Sequence, residues 1–250
     1  MQKFKNKVAL ITGGTNGMGF ATAQEFIKEG ATVIITGRSQ ETVDRAISKL
    51  GSNAIGIVSN TGKLADVFDL QRQVKIHTDI LDILYVNAGY GKFASIEAVD
   101  EAHFDELFNM LVKGTFFTVQ QLLPLMNEGG AIILNTSVVT AFGFENFSIY
   151  SAAKSAVQSF IKTFSTECTP KKIRVNGISP GYIKTNIFNN TGLTPDQIEG
   201  AIEGIIPTLP FKRFGEPNEI AKTVLFLDSE DASYIHGAEI VVDGGLSNVK

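Results

Sequence analysis

Tyr150 and Lys154 stand four residues apart, and Ser137 lies thirteen residues before the tyrosine. On a helix, the i, i+4 spacing puts the phenol and the ammonium on one face. A free phenol titrates near ~10, too high for easy proton exchange at neutral pH. A neighbouring cation favours the phenolate and brings that value down. Such a phenol can give a proton to a carbonyl oxygen or take one from an alcohol. A serine hydroxyl at the carboxyl end of a strand can bond the same oxygen and steady its charge. Taken alone, Tyr-x-x-x-Lys also describes an amphipathic helix with a snorkelling lysine, so its meaning depends on the rest of the chain.

The segment Thr12-Gly13-Gly14-Thr15-Asn16-Gly17-Met18-Gly19 follows an apolar run and opens a helical one. Glycines there let the backbone turn tightly and approach a pyrophosphate, and the helix N-terminus offers free N–H groups to the anion. No Gly-Lys-Ser/Thr follows, which excludes a P-loop. The second apolar run ends Ile35-Thr36-Gly37-Arg38. A carboxylate in that place would bind a ribose 2′-hydroxyl and repel a 2′-phosphate. Arginine suits phosphate, so the expected cofactor is NADP(H) in preference to NAD(H).

These groups need a scaffold. Strand-length apolar runs recur at 8–12, 32–36, 54–58, 83–87, 131–137, 173–179 and 238–243. Most are rich in Val and Ile and do not alternate, as strands buried on both faces read. Helix-length segments lie at 17–29, 40–50, 64–77, 102–126, 150–168, 195–206 and 217–227. The alternation predicts an α/β fold, a doubly wound parallel seven-stranded sheet with helices on both faces. No linker or repeat divides it, so one domain over 1–250 is expected. The stretch 186–210 reads as a substrate lid beyond a strand's carboxyl end. Thr194, Pro195 and Gln197 look like the N-cap, first position and capping-box partner of its helix.

The chain has 250 residues, 44% hydrophobic and 19% charged, with a net charge of −4. It affords a large core and carries no basic stripe, so neither nucleic acid nor an anionic membrane is implied as a partner. The apolar run 8–11 is too short for a signal-peptide core or a membrane span. The single cysteine, Cys168, excludes an internal disulfide and suggests a reducing, cytoplasmic setting. The three scattered histidines give no metal-ligand spacing.

The chain resembles the short-chain dehydrogenase/reductase family along nearly its whole length. The likeness rests on the 12–19 loop, Asn87-Ala88-Gly89, and Ser137 with Tyr150-Ser151-Ala152-Ala153-Lys154. It continues through Arg174-Val175-Asn176-Gly177-Ile178-Ser179-Pro180-Gly181, Thr185, Arg213-Phe214-Gly215-Glu216-Pro217 and Val242-Asp243-Gly244-Gly245. The resemblance implies a Rossmann-like fold, a nicotinamide cofactor and cytosolic redox work on alcohols and ketones. It implies Tyr150 as acid/base, Lys154 also holding the nicotinamide ribose, and Ser137 binding the substrate oxygen. Carried onto this sequence, the cofactor residues are Gly13, Thr15, Asn16, Gly17, Met18, Gly19, Arg38, Asn60, Asn87, Ala88, Gly89, Tyr150, Lys154, Pro180, Gly181, Ile183 and Thr185. It also tips the expected assembly to a homotetramer built on helices 102–126 and 150–168.

The chain departs from the family pattern in three places. Leu111 stands where a catalytic asparagine is usual, with Asn109 two residues early, roughly 200° away on an α-helix. The expectation is an altered proton relay in which water still reaches Lys154. Val86 replaces a frequent asparagine, and Asn60 stands where an adenine-binding aspartate is common; an amide oxygen still accepts from the adenine amine. Two other readings compete with a carbonyl reductase or alcohol dehydrogenase. One is a 3-oxoacyl carrier-protein reductase, docking through Lys171, Lys172 and Arg174. The other is a low-turnover dinucleotide-binding sensor, motivated by Leu111. Phe142, Phe144, Phe147, Tyr182, Ile187 and Phe188 are candidates for an apolar substrate pocket.

Overall fold

The computed structural model describes residues 2–185 and 194–249. Seven strands form one parallel sheet: β1 (Val8–Ile11), β2 (Thr32–Gly37), β3 (Ala54–Val58), β4 (Leu81–Val86), β5 (Met126–Asn135), β6 (Arg174–Pro180) and β7 (Glu239–Val242). Their order is β3-β2-β1-β4-β5-β6-β7. The order reverses between β1 and β4, which opens a crevice beyond the carboxyl ends of those strands.

The strands read as unbroken apolar runs because helices cover both faces. Ala9, Ile11, Val33 and Ile35 bury against Ala23 and Phe26 of α1 (Gly17–Lys28) and against Ile220, Val224 and Leu227 of α8 (Pro217–Asp228). Leu10 and Ile34 point the other way. They join Leu70 and Val74 of α3 (Leu64–Lys75), Val119 and Leu122 of α5 (Gly114–Leu122), and Val157 and Ile161 of α6 (Ser148–Cys168). The period-two alternation of strand side chains thus feeds two cores. Helix α2 (Gln40–Leu50) is capped by the Ser39 side chain, which accepts from the Thr42 N–H.

The single helix read over 102–126 is three pieces. α4 (Glu101–Leu107) runs into a π-helical segment, Phe108–Lys113, and then into α5. The Gly114 N–H reaches back five residues to the Asn109 carbonyl, the bond that defines the widened turn. Pro124, which has no N–H to donate, follows the end of α5, and β5 begins at Met126, earlier than the apolar run suggested. Helix α7 (Pro195–Ile205) starts at Pro195, and the Ile198 N–H bonds the Thr194 carbonyl at 2.9 Å. The first part of the expected lid, 186–193, lies outside the described residues, as do Ile187 and Phe188. No helix among the described residues is long and apolar enough to cross a membrane.

Candidate active site

The crevice between β1 and β4 is a cavity of about 750 Å³. Thr12 and Asn87 staple its floor. The Thr12 hydroxyl accepts from the N–H groups of Asn87 and Ala88, each at 3.0 Å, and the Asn87 amide donates to the Thr12 carbonyl at 3.0 Å. Strand β1 and strand β4 therefore end in one hydrogen-bonded corner, and the glycine loop is hung from it.

The loop is shaped by close approach. Gly13 holds φ +65°, and a Cβ there would sit 2.9 Å from the Ala88 backbone. A Cβ on Gly19 would meet the Gly13 carbonyl oxygen at 2.5 Å. Only glycine fits either position. Gly13, Thr15, Asn16, Gly17 and Met18 line the cavity, whereas Gly19 is buried behind the loop. Asn16 precedes α1 without a side-chain cap, leaving the first turn of that helix to face the crevice.

At the near end stand Arg38 and Asn60, with the hydroxyls of Ser39 and Thr42. Arg38 is exposed and has no ion-pair partner among the described residues. Its guanidinium carbon lies 5.5 Å from the centroid of the Tyr90 ring. The Asn60 amide oxygen accepts from the Gly62 N–H at 3.0 Å.

At the far end Ser137, Tyr150 and Lys154 come together. Ser137 follows β5, and its hydroxyl accepts from the Val139 N–H at 3.4 Å. Tyr150 lies in the first turn of α6 and Lys154 one turn on. Tyr150, Ala153, Lys154 and Val157 are buried, the i, i+3, i+4, i+7 stripe of a helix packed on a sheet. The Lys154 ammonium donates to the Asn135 carbonyl at 2.7 Å. Asn135 was not singled out from sequence; only the fold brings the end of β5 under α6. Its side-chain oxygen is buried and has no partner among the described residues. Asn87, Ala88, Gly89, Pro180, Gly181, Ile183 and Thr185 close the cavity around this group.

Burial decides the electrostatics. It pushes the Tyr150 phenol up to about 12, with a smaller opposing pull from the Ser137 hydroxyl. It brings the Lys154 ammonium down to about 8. The lowering of Tyr150 by Lys154 that the spacing suggested therefore does not govern the phenol. Lys154 gives its hydrogen bond to Asn135, and its Nζ stands 5.9 Å from the centre of the tyrosine ring. At neutral pH this phenol holds its proton, and burial draws the lysine toward its neutral form.

Leu111 is 1% exposed and sits in an apolar cluster with Leu107, Met110, Val139, Tyr150 and Ala153. Its Cδ2 lies 2.7 Å from where a Cβ on Gly89 would stand. Asn109 is half-exposed and lies outside that cluster. An aromatic wall completes the cavity. Phe93 stacks on Phe147 at 4.0 Å between centroids, and both meet the edge of Tyr150, at 5.7 and 6.2 Å. Phe144 lines the same side and contacts Phe142, and Tyr182 stacks on Phe214 at 5.4 Å. Phe93 and Phe214 were not read as site residues, because nothing local marks a loop phenylalanine as facing a cleft.

A family model described as Enoyl-(Acyl carrier protein) reductase matches residues 13–247. The chain belongs to the short-chain dehydrogenase/reductase family. It is 36% identical over 251 residues to the oxidoreductase asL5 of Sarocladium schorii, covering 100% of this chain and 99% of that one. It is 37% identical over 247 residues to a 3alpha-hydroxysteroid dehydrogenase of Mediterraneibacter gnavus, covering 96% of each. A Brucella melitensis structure described as a short-chain dehydrogenase/reductase, glucose/ribitol dehydrogenase, superposes with a TM-score of 0.90 at 28% identity over 98% of both chains. Membership makes this an oxidoreductase fold that binds NAD(P).

Proposed function

We propose that this chain interconverts a ketone or aldehyde with the matching alcohol by hydride transfer, using NADP(H) in preference to NAD(H). The observation that carries this reading is the convergence of Ser137, Tyr150 and Lys154 on the same cavity as the glycine loop. The residues fit such a cofactor. The loop admits backbone approach at Gly13; among the described residues, Asn135 offers an unsatisfied buried acceptor and Arg38 is a cation without an anionic partner where a 2′-phosphate would stand. When bound, the nicotinamide supplies the hydride to the carbonyl carbon or accepts it from the alcohol.

The chain's own residues manage the oxygen. The Ser137 hydroxyl donates a hydrogen bond to it, and Tyr150 delivers its proton as the carbon is reduced. In the oxidising direction Tyr150 takes that proton back. A phenol pushed up to about 12 is protonated and suits the first direction as it stands. Lys154 anchors on the Asn135 carbonyl, and its ammonium has further donors that would hold a bound nicotinamide ribose. The aromatic wall of Phe93, Phe144 and Phe147 favours an apolar ketone and excludes water from the exchange.

Tyr150→Phe keeps the ring packing and removes the proton. Turnover, followed as NADPH absorbance over a panel of ketones, is expected to fall by about 10²–10⁴-fold while calorimetric NADPH binding stays. Cofactor binding with no ketone turned over by the parent, unchanged by Tyr150→Phe, would favour the sensor reading instead.

A 3-oxoacyl carrier-protein reductase is the second reading, supported by the likeness to a solved structure described as a putative betaketoacyl-ACP reductase, 35% identical with a TM-score of 0.84. The basic surface it relies on is partly spent. Arg174 donates to the carbonyls of Leu227, Ser229 and Ala232, and Lys172 pairs with Glu128. Higher activity on acyl thioesters than on simple ketones would support it. We also infer a cytoplasmic enzyme assembled as a homotetramer, on the strength of the family and of the phenylalanines exposed on α3, α4 and α5.

A further inference from the structure

The segment after Asn87-Ala88-Gly89 carries a side chain that the catalytic reading does not use. Tyr90 lines the cavity beside Arg38, with the Arg38 guanidinium over its ring at 5.5 Å. The two residues come from opposite sides of the crevice, Arg38 from the end of β2 and Tyr90 from the loop after β4. The ring is not free to swing. Its hydroxyl donates to Glu106 of α4, and the other Glu106 oxygen accepts from Lys92 at 2.5 Å. Burial and that carboxylate push the Tyr90 phenol up to about 12, so it stays a donor. Lys92 and Tyr90 hold the Glu106 carboxyl below its ordinary range, so it stays an acceptor.

We propose that Tyr90 is a positioning residue for cofactor choice: anchored to α4 through Glu106, its ring is the platform that holds the Arg38 guanidinium at the 2′-phosphate end of the cleft. Arginine side chains carry large rotamer freedom, and Arg38 has no ion pair among the described residues to limit it. An aromatic face restrains the guanidinium without neutralising it, because the attraction is to the ring quadrupole and leaves the N–H fork available to phosphate. A carboxylate partner would have restrained it at the cost of competing with the phosphate. The proposal rests on the NADP(H) reading and adds a second residue, absent from the phosphate contact itself, that sets the preference.

The test is calorimetric binding of NADPH and NADH to the full chain, which needs no turnover and no tryptophan, a residue the chain lacks. Four variants are compared with the parent: Tyr90→Leu, Tyr90→Phe, Arg38→Ala and the double Arg38→Ala/Tyr90→Leu. Tyr90→Leu is expected to weaken NADPH roughly two- to five-fold, the range of an exposed cation–π contact, and to leave NADH unchanged. Tyr90→Phe keeps the ring but loses the Glu106 anchor, and should fall between the parent and Tyr90→Leu. The double variant should bind NADPH no more weakly than Arg38→Ala alone, since the platform has then nothing to hold. Additive losses in the double, tighter NADPH binding by Tyr90→Leu, or equal losses for both cofactors would overturn the platform while leaving Arg38 as the phosphate residue. Arg38→Ala weakening both cofactors alike would overturn the NADP(H) reading and the platform with it.

Discussion

Asp228 ends α8 with both carboxylate oxygens buried and without a hydrogen-bond partner among the described residues. The Tyr85 hydroxyl is in the same position. Burial raises the Asp228 carboxyl well above its ordinary range, and the Arg174 guanidinium only partly opposes this. Arg174 has given its own donors to three backbone carbonyls. Above about pH 4 the unfolded chain releases this proton while the folded chain keeps it. The folded state then binds more protons, so stability falls as pH rises from there toward the folded value. Asp228→Asn removes the titration. Its melting temperature should exceed the parent's at pH 7 by ~2–4 °C for each kcal/mol recovered, with the gap closing near pH 4. A gap of the same size at both values would show that the carboxyl is not held protonated by the fold. Tyr150 and Lys154 show the same influence at the site itself, where burial outweighs the pairwise attraction that a sequence spacing suggests.

Among the elements, the π-helical turn at Phe108–Lys113 has the most local consequence. Across it Leu107, Met110, Leu111 and Gly114 keep an inward stripe at i, i+3, i+4 and i+7, with Met110 and Leu111 6% and 1% exposed. Leu111 then fills the space beside Gly89 and backs Tyr150 with hydrocarbon. Leu111→Asn puts an amide among Leu107, Val139 and Ala153. Loss of apolar packing and an unmet polar group should together cost roughly 2–4 kcal/mol, about 5–10 °C in melting temperature for a chain of this size. A variant as stable as its parent would mean that the amide finds a partner, and a water beside Lys154 would be the natural one. The break in this helix was not legible, because Phe108 to Leu122 is apolar on more than one face and Gly114, whose N–H closes the widened turn, reads in sequence as an ordinary helical glycine.

For the whole molecule, the apolar surface left over is the informative part. Phe68, Phe104 and Phe116 are 49%, 41% and 37% exposed, on α3, α4 and α5. Phe68 and Phe116 cap one run of ring contacts, with Phe68 on the edge of Phe117, Phe117 on the edge of Phe116, and Phe116 against Phe160 and Phe164 of α6, while Phe104 stacks on Phe108 as a separate pair. Contiguous apolar exposure, as at Phe68 and Phe116, marks an association face. On the homotetramer reading, the double variant Phe104→Glu/Phe116→Glu should elute as a smaller species in light-scattering chromatography, with its circular dichroism retained. An unchanged mass would remove these helices from the interface.

Much of this molecule is written locally. Strands buried on both faces need Val and Ile without alternation, so β1 to β4 announce themselves, and the glycine loop is legible because only glycine meets its backbone demands at Gly13 and Gly19. Ser137, Tyr150 and Lys154 were readable as a set through the family resemblance, and they line one cavity. The tertiary structure alone decided what surrounds them. It brought Asn135 under Lys154, Tyr90 under Arg38, Phe93 onto Phe147 and Leu111 against Gly89. Each of these pairs joins elements whose distance in space is set by the sheet order and the path of the chain. No spacing along a sequence encodes desolvation, and desolvation fixes which protons the buried phenol and ammonium keep.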